Sequence, residues 1–197
     1  DNGVPVVTYY ADGSKQGEGY EINGKKTGPW GFYDPWMKKQ SEGYYLNGEK
    51  TGHWIEYFSG LKLAEGQYLN GKKTGLWTYF YSNGNKSRQG YYSDGNKTGT
   101  WIEWHEDQDS LASNGVGGKS SESEYVNGRR NGPSRSWRKD GTLLEEGQFL
   151  NGEQTGHWIL YYQNGFKRGE GDMVEEREVG TWTYWNEDGT FREQITY

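Results

Sequence analysis

The stretch LNGKKTGLWTYFYSNG, residues 69–84, holds an Asn-Gly step on either side of a short aromatic run. Asn-Gly between strand-like segments signals a hairpin, because a type I′ turn needs positive φ at both central residues. Nearly the same wording stands at LNGEKTGHWIEYFSG, residues 46–60, and at LNGEQTGHWILYYQNG, residues 150–165. A chain that rewrites one hairpin this closely builds its fold by stacking copies.

Two independent markers measure the period. The Gly of the TGxW motif falls at Gly28, Gly52, Gly75, Gly99, Gly132, Gly156 and Gly180, giving intervals of 24, 23, 24, 33, 24 and 24. The Gly of the first turn falls at Gly24, Gly48, Gly71, Gly95, Gly128 and Gly152, giving 24, 23, 24, 33 and 24. The agreement defines a half-unit cap over 1–18 and seven repeats over 19–42, 43–65, 66–89, 90–122, 123–146, 147–170 and 171–197. The one long interval places an inserted loop at 105–120. Glu175 and Glu176 stand where the seventh repeat should have its turn, which predicts that this turn is lost. A second turn recurs at Asp12-Gly13, Asn83-Gly84, Asp140-Gly141, Asn164-Gly165 and Asp188-Gly189. Two turns per repeat predict two strands per repeat. The expected fold is all-β: an elongated single-domain β-hairpin solenoid, an antiparallel meander about 70 Å long at two strand spacings per repeat.

Composition fits a wall of rings better than an ordinary core. Hydrophobic residues make up 30% of the 197, yet aromatics make up 17%, with ten Trp and 17 Tyr. The Trp of GxW recurs as Trp30, Trp54, Trp77, Trp101, Trp158 and Trp182, with Ser134 in the fifth repeat. Three residues on, each repeat is aromatic: Tyr33, Tyr57, Phe80, Trp104, Trp137, Tyr161 and Trp185. A Gly column, Gly19, Gly43, Gly66, Gly90, Gly147 and Gly171, offers slots in which neighbouring rings lie. Strand alternation puts the Trp and the ring three residues on upon opposite faces, unless a bulge brings them together; the sequence leaves both arrangements open. Both columns read as core. Trp36, Phe58, Tyr79, Tyr81, Tyr162 and Tyr184 fall outside the two columns and are the candidate ligand-facing rings.

The repeat unit EGQYLNGKKTGLWTYFYSNGNK, residues 65–86, resembles the MORN repeat variant of bacterial proteins, including the YwqK-family antitoxins, over essentially the whole chain. The resemblance implies stacked β-hairpins in a twisted sheet. It also implies a binding role: protein assembly, lipid headgroups in some arrays, or neutralisation of a toxin. It implies no catalytic residues.

The residues themselves contain no GxSxG, HExxH or phosphate-loop motif, and no enzyme activity or cofactor is expected. No Cys is present, which excludes disulfides and thiolate metal sites. His53 and His157 are turn-adjacent and too far apart to share a metal, and the acidic loop with His105, Glu106, Asp107 and Asp109 reads as solvated. The net charge of -6 disfavours nucleic acid, and no apolar run is long enough to span a membrane. Lys26, Lys50, Lys73, Lys97 and Arg130 follow successive turns and predict a basic stripe able to meet phosphates or an acidic partner. The expected function is a non-enzymatic scaffold for a protein partner, toxin-neutralising or envelope-associated. The alternative is a glycan or cell-envelope ligand held by exposed rings. Exposed sheet edges predict pairing with a second copy, and the composition is compatible with export to a bacterial periplasm or cell surface.

Overall fold

A computed structural model describes residues 3–106 and 118–197. It is all-β, with no helix among the described residues, and it divides into two compact units, Asp1–Asn96 and Lys97–Tyr197. The first unit holds β1 (Val4–Tyr9), β2 (Lys15–Ile22), β3 (Lys25–Tyr33), β4 (Lys39–Leu46), β5 (Glu49–Phe58), β6 (Leu61–Leu69), β7 (Lys72–Phe80) and β8 (Lys86–Ser93). The second holds β9 (Asn96–Trp104), β10 (Lys119–Val126), β11 (Arg129–Trp137), β12 (Leu143–Leu150), β13 (Glu153–Tyr161), β14 (Lys167–Val174), β15 (Arg177–Trp185) and β16 (Phe191–Thr196). In each unit the strands pair antiparallel in chain order.

The first turn of each repeat is the expected type, with both central residues at positive φ, as at Asn70 (49°) and Gly71 (75°). Glu175 and Glu176 correct the reading of the seventh repeat. They adopt the same turn at φ 49° and 64°, held by pairing of Val174 with Arg177. The second turn is of another kind. In most repeats only its Gly has positive φ, as at Gly13 (86°), and the Asp12 carboxylate accepts the Ser14 N–H at 2.9 Å. The second repeat differs, with Ser59 (51°) and Gly60 (83°) forming a two-residue turn closed by Phe58 and Leu61.

Between β2 and β3 the register jumps. Glu18 faces Gly31 and Tyr20 faces Thr27, so Gly19 alone opposes Gly28, Pro29 and Trp30. Gly28 makes this bulge at φ 63°, and Gly52, Gly75, Gly156 and Gly180 repeat it at 63–65°. The bulge frees the Tyr20 carbonyl, which accepts the Trp30 indole N–H at 2.9 Å. Trp54 and Trp77 donate likewise to the carbonyls of Tyr44 and Gln67.

In each unit the core is a line of indoles on one face. Trp30, Trp54, Trp77, Trp101, Trp158 and Trp182 are at most 2% exposed. Trp30, Trp54, Trp77, Trp158 and Trp182 each lie over the Gly eleven residues before them: a Cβ on Gly19, Gly43, Gly66, Gly147 or Gly171 would sit inside 3.0 Å of the ring. Tyr45 and Tyr68 stand edge-on to Trp54 and Trp77, with centroids 5.2 and 5.3 Å apart, and Phe149 stands so to Trp158 at 5.4 Å. In the fifth repeat both partners change together. Ser123 fills the Gly position, and its hydroxyl lies 2.8 Å from that of Ser134, which replaces the Trp.

The ring three residues after each Trp lies on the opposite face, where it is half-buried and not core. Tyr33 donates to Glu18 at 2.7 Å, Tyr57 to Glu42 at 2.6 Å and Tyr161 to Glu146 at 2.8 Å. Each such Glu precedes a slot Gly. Several also pair with a Lys three residues earlier, such as Lys15 with Glu18 at 3.0 Å and Lys62 with Glu65 at 3.1 Å. Rings therefore occupy both faces, as unbroken alternation after the Trp requires.

Candidate functional site

The six candidate rings separate into those the scaffold uses and those it does not. Tyr79 is a correction: it is 9% exposed and belongs to the core. It stands two residues after Trp77 and so shares its face. Its hydroxyl lies 3.0 Å from that of Tyr92, and the Arg88 guanidinium sits 4.3 Å from the ring centre. Tyr184 holds the same position in the seventh repeat, half-buried and stacked on Trp182 at 6.0 Å, and donates to Glu178 at 3.2 Å. Neither is a free platform.

Tyr162 and Tyr81 open second turns and are half-buried. Tyr162 donates its hydroxyl to the Trp185 carbonyl at 2.8 Å, one repeat ahead, as Tyr10 does to the Tyr33 carbonyl at 2.8 Å. From the same position Arg138 donates to the Tyr161 carbonyl at 2.6 Å, and the His105 ring lies 2.8 Å from the Trp137 carbonyl. This position latches one second turn to the next.

The basic stripe is also corrected. Lys26, Lys50, Lys73 and Lys97 fold back over the indoles, their ammonium groups 4.8, 4.0, 3.7 and 4.2 Å from Trp30, Trp54, Trp77 and Trp101. Arg130 lies 5.1 Å from the Phe149 centre. A single-layer sheet has no second layer to cover its rings, so these stems and cations do so. Burial pulls the Lys50 ammonium below its ordinary range.

Trp36 and Phe58 remain. They are 80% and 73% exposed, and they line one hollow of about 400 Å³ between the second turns of the first two repeats. Asp34, Pro35, Lys38, Gln40, Tyr57 and Ser59 complete it. Asp34 fixes the wall: one carboxylate oxygen accepts the N–H groups of Trp36 at 3.0 Å and Lys38 at 2.8 Å. Tyr57 is held in place by Glu42; burial and that hydrogen bond push its hydroxyl up to about 12.

A second feature was missed by the sequence reading. On the face opposite the indoles, the residue after each slot Gly points outward. In the first unit these are Tyr20, Tyr44, Gln67 and Tyr91, with the three Tyr 39%, 54% and 53% exposed. Pro5 pairs with Tyr20, Pro29 with Tyr44 and Leu76 with Tyr91, which makes one cross-strand row. In the second unit the same position is Glu124, Gln148 and Asp172. The signal was present as a third column beside the Gly, but its chemistry changes from repeat to repeat.

Most of the insertion, 107–117, lies outside the described residues, and with it Asp107 and Asp109. Among the described residues no group of three or more acids and histidines could hold a metal, and no helix is long and apolar enough to cross a membrane.

No family model and no curated protein matches the chain. Among solved structures, it is similar to S. aureus TarM, a G117R mutant in complex with Fondaparinux, alpha-GlcNAc-glycerol and UDP, at 11% identity and a TM-score of 0.35 over 64% of this chain and 21% of that one. It is similar also to TcdB2-TccC3 at 12% identity and a TM-score of 0.23, over 97% of this chain and 12% of that one. The chain thus spans about a fifth and an eighth of the length of these two structures.

Proposed function

We propose that this chain is a non-enzymatic repeat scaffold that holds an extended segment of a protein partner along the row of Tyr20, Tyr44 and Tyr91. The observation that carries the reading is the row itself: Pro5–Tyr20, Pro29–Tyr44, His53–Gln67 and Leu76–Tyr91 pair across β1 to β8, and the three phenols are 39–54% exposed. Aromatic-lined surfaces are where polyproline II segments dock. The spacing agrees, since equivalent residues two strands apart are separated by about 9.6 Å. A polyproline II helix advances about 9.3 Å per three-residue turn. A partner laid across the strands would therefore present one residue per turn to each position of the row, meeting a ring at Tyr20, Tyr44 and Tyr91 and an amide at Gln67. The resemblance to MORN-type repeats supports a protein partner, a toxin or an envelope component.

The test is selection of displayed random peptides on the folded chain, followed by binding to a Tyr20→Ser/Tyr44→Ser/Tyr91→Ser variant. The reading expects proline-rich peptides with an apolar residue every third position, and at least a tenfold loss of affinity on the variant. Enrichment of no sequence, or binding that ignores the three substitutions, would rule it out.

A further inference from the structure

The seven repeats act as an internal control, because each position has a scaffold task that can be read from its equivalents. At the third position of the second turn, Asp12, Asn83, Asp140, Asn164 and Asp188 each accept the N–H two residues on, at 2.9 to 3.1 Å. In the first repeat that position is Trp36. Its capping task has moved to Asp34, two residues earlier. The next residue, elsewhere Gly, is Met37, held at φ 63° where a side chain is strained. In the second repeat the latch position, from which Tyr10, Arg138 and Tyr162 donate to a carbonyl one repeat ahead, is Phe58, which has no donor; in the first it is Asp34, a carboxylate that accepts instead. Two neighbouring repeats have thus each given up the latch donor, and each has gained an exposed ring on the same hollow.

We infer that this hollow is a carbohydrate site that stacks a pyranose ring against Trp36 and Phe58, with Asp34, Gln40 and Ser59 meeting its hydroxyls. The inference is independent of the tyrosine row. The hollow has the size of a small-ligand site and not of a protein interface. A pyranose offers a flat C–H face for the rings and a rim of hydroxyls that both donate and accept. The hollow offers the matching rim: the second Asp34 carboxylate oxygen accepts, the Gln40 amide does both, and the Ser59 hydroxyl does both. An apolar peptide side chain would use the rings and leave that rim unmatched. A nucleotide would bring phosphates beside Asp34 on a chain of net charge -6.

The test is calorimetric titration of the whole chain with defined tetrasaccharides of the glucan, chitin, mannan and xylan series. The expected result is saturable binding of at least one series, weakened at least tenfold by Trp36→Ala and by Phe58→Ala, and unchanged in the Tyr20→Ser/Tyr44→Ser/Tyr91→Ser variant. Both rings are exposed, so each single variant should melt with the parent chain, and melting is recorded alongside. Absence of binding to all four series would overturn the inference. So would binding that neither ring substitution weakens.

Discussion

At the scale of the residue, the fold depends on an absence. Each slot Gly is required for its missing side chain, since the indole occupies the place a Cβ would take. Gly66→Ala should therefore cost about 3 kcal/mol, at the upper end of overpacking penalties. Gly84→Ala, in an open second turn at φ 85°, should cost about 1–2 kcal/mol from backbone strain alone. Denaturant unfolding of the two variants side by side distinguishes crowding from strain. That the Gly column forms slots for rings was legible in the sequence, because six copies make a column visible that one copy hides. The placement of Tyr79 was not, although alternation contained it. The bulge at Gly75 precedes Trp77, so nothing disturbs the count of two from Trp77 to Tyr79. The roles of Lys50 and Lys73 were hidden for another reason. A lysine beside a turn reads as solvated until the ring beneath it is located in three dimensions.

At the scale of the element, two hairpins depart from the rest and can be returned to the common form. The β14–β15 turn places Glu175 and Glu176 in a left-handed conformation costing roughly 1–2 kcal/mol per residue. Glu176→Gly should stabilise the chain by about 1 kcal/mol, seen as a raised denaturation midpoint at unchanged slope. The β10–β11 hairpin swaps Gly and Trp for Ser123 and Ser134. Ser134→Trp alone should destabilise, because the indole meets the Ser123 side chain. Ser123→Gly beside it should recover the loss, with a coupling of about 1–3 kcal/mol in a double-mutant cycle. Additive effects would show that the two serines do not form one slot. The latch from Tyr10 or Tyr162 to the next turn lay beyond sequence reading, because its donor and acceptor carbonyl are 23 residues apart and a carbonyl carries no side-chain signature.

At the scale of the whole molecule, the face opposite the indoles ties stability to pH through its Tyr–Glu bonds. The bonds from Tyr33, Tyr57 and Tyr161, with neighbouring cations, hold Glu18, Glu42 and Glu146 below their ordinary value. Their contribution is present above that value of 4.5 and is lost as the pH falls through the lowered folded values. The same bonds, together with burial, push Tyr33, Tyr57 and Tyr161 up to about 12. That contribution is present below the ordinary tyrosine value of 10.0 and is lost as the pH rises toward 12. Melting temperature should therefore hold level between about pH 5 and 10 and decline on both sides. Tyr33→Phe/Tyr57→Phe/Tyr161→Phe should flatten both declines. The most direct test of the division between scaffold rings and free rings is thermal unfolding of Trp36→Ala/Phe58→Ala beside Trp54→Ala. Losing both exposed rings should change stability by less than about 1 kcal/mol, whereas losing the one buried indole should cost about 3–5 kcal/mol. If the double variant unfolded as readily as Trp54→Ala, Trp36 and Phe58 would belong to the scaffold, and the hollow would be part of the wall.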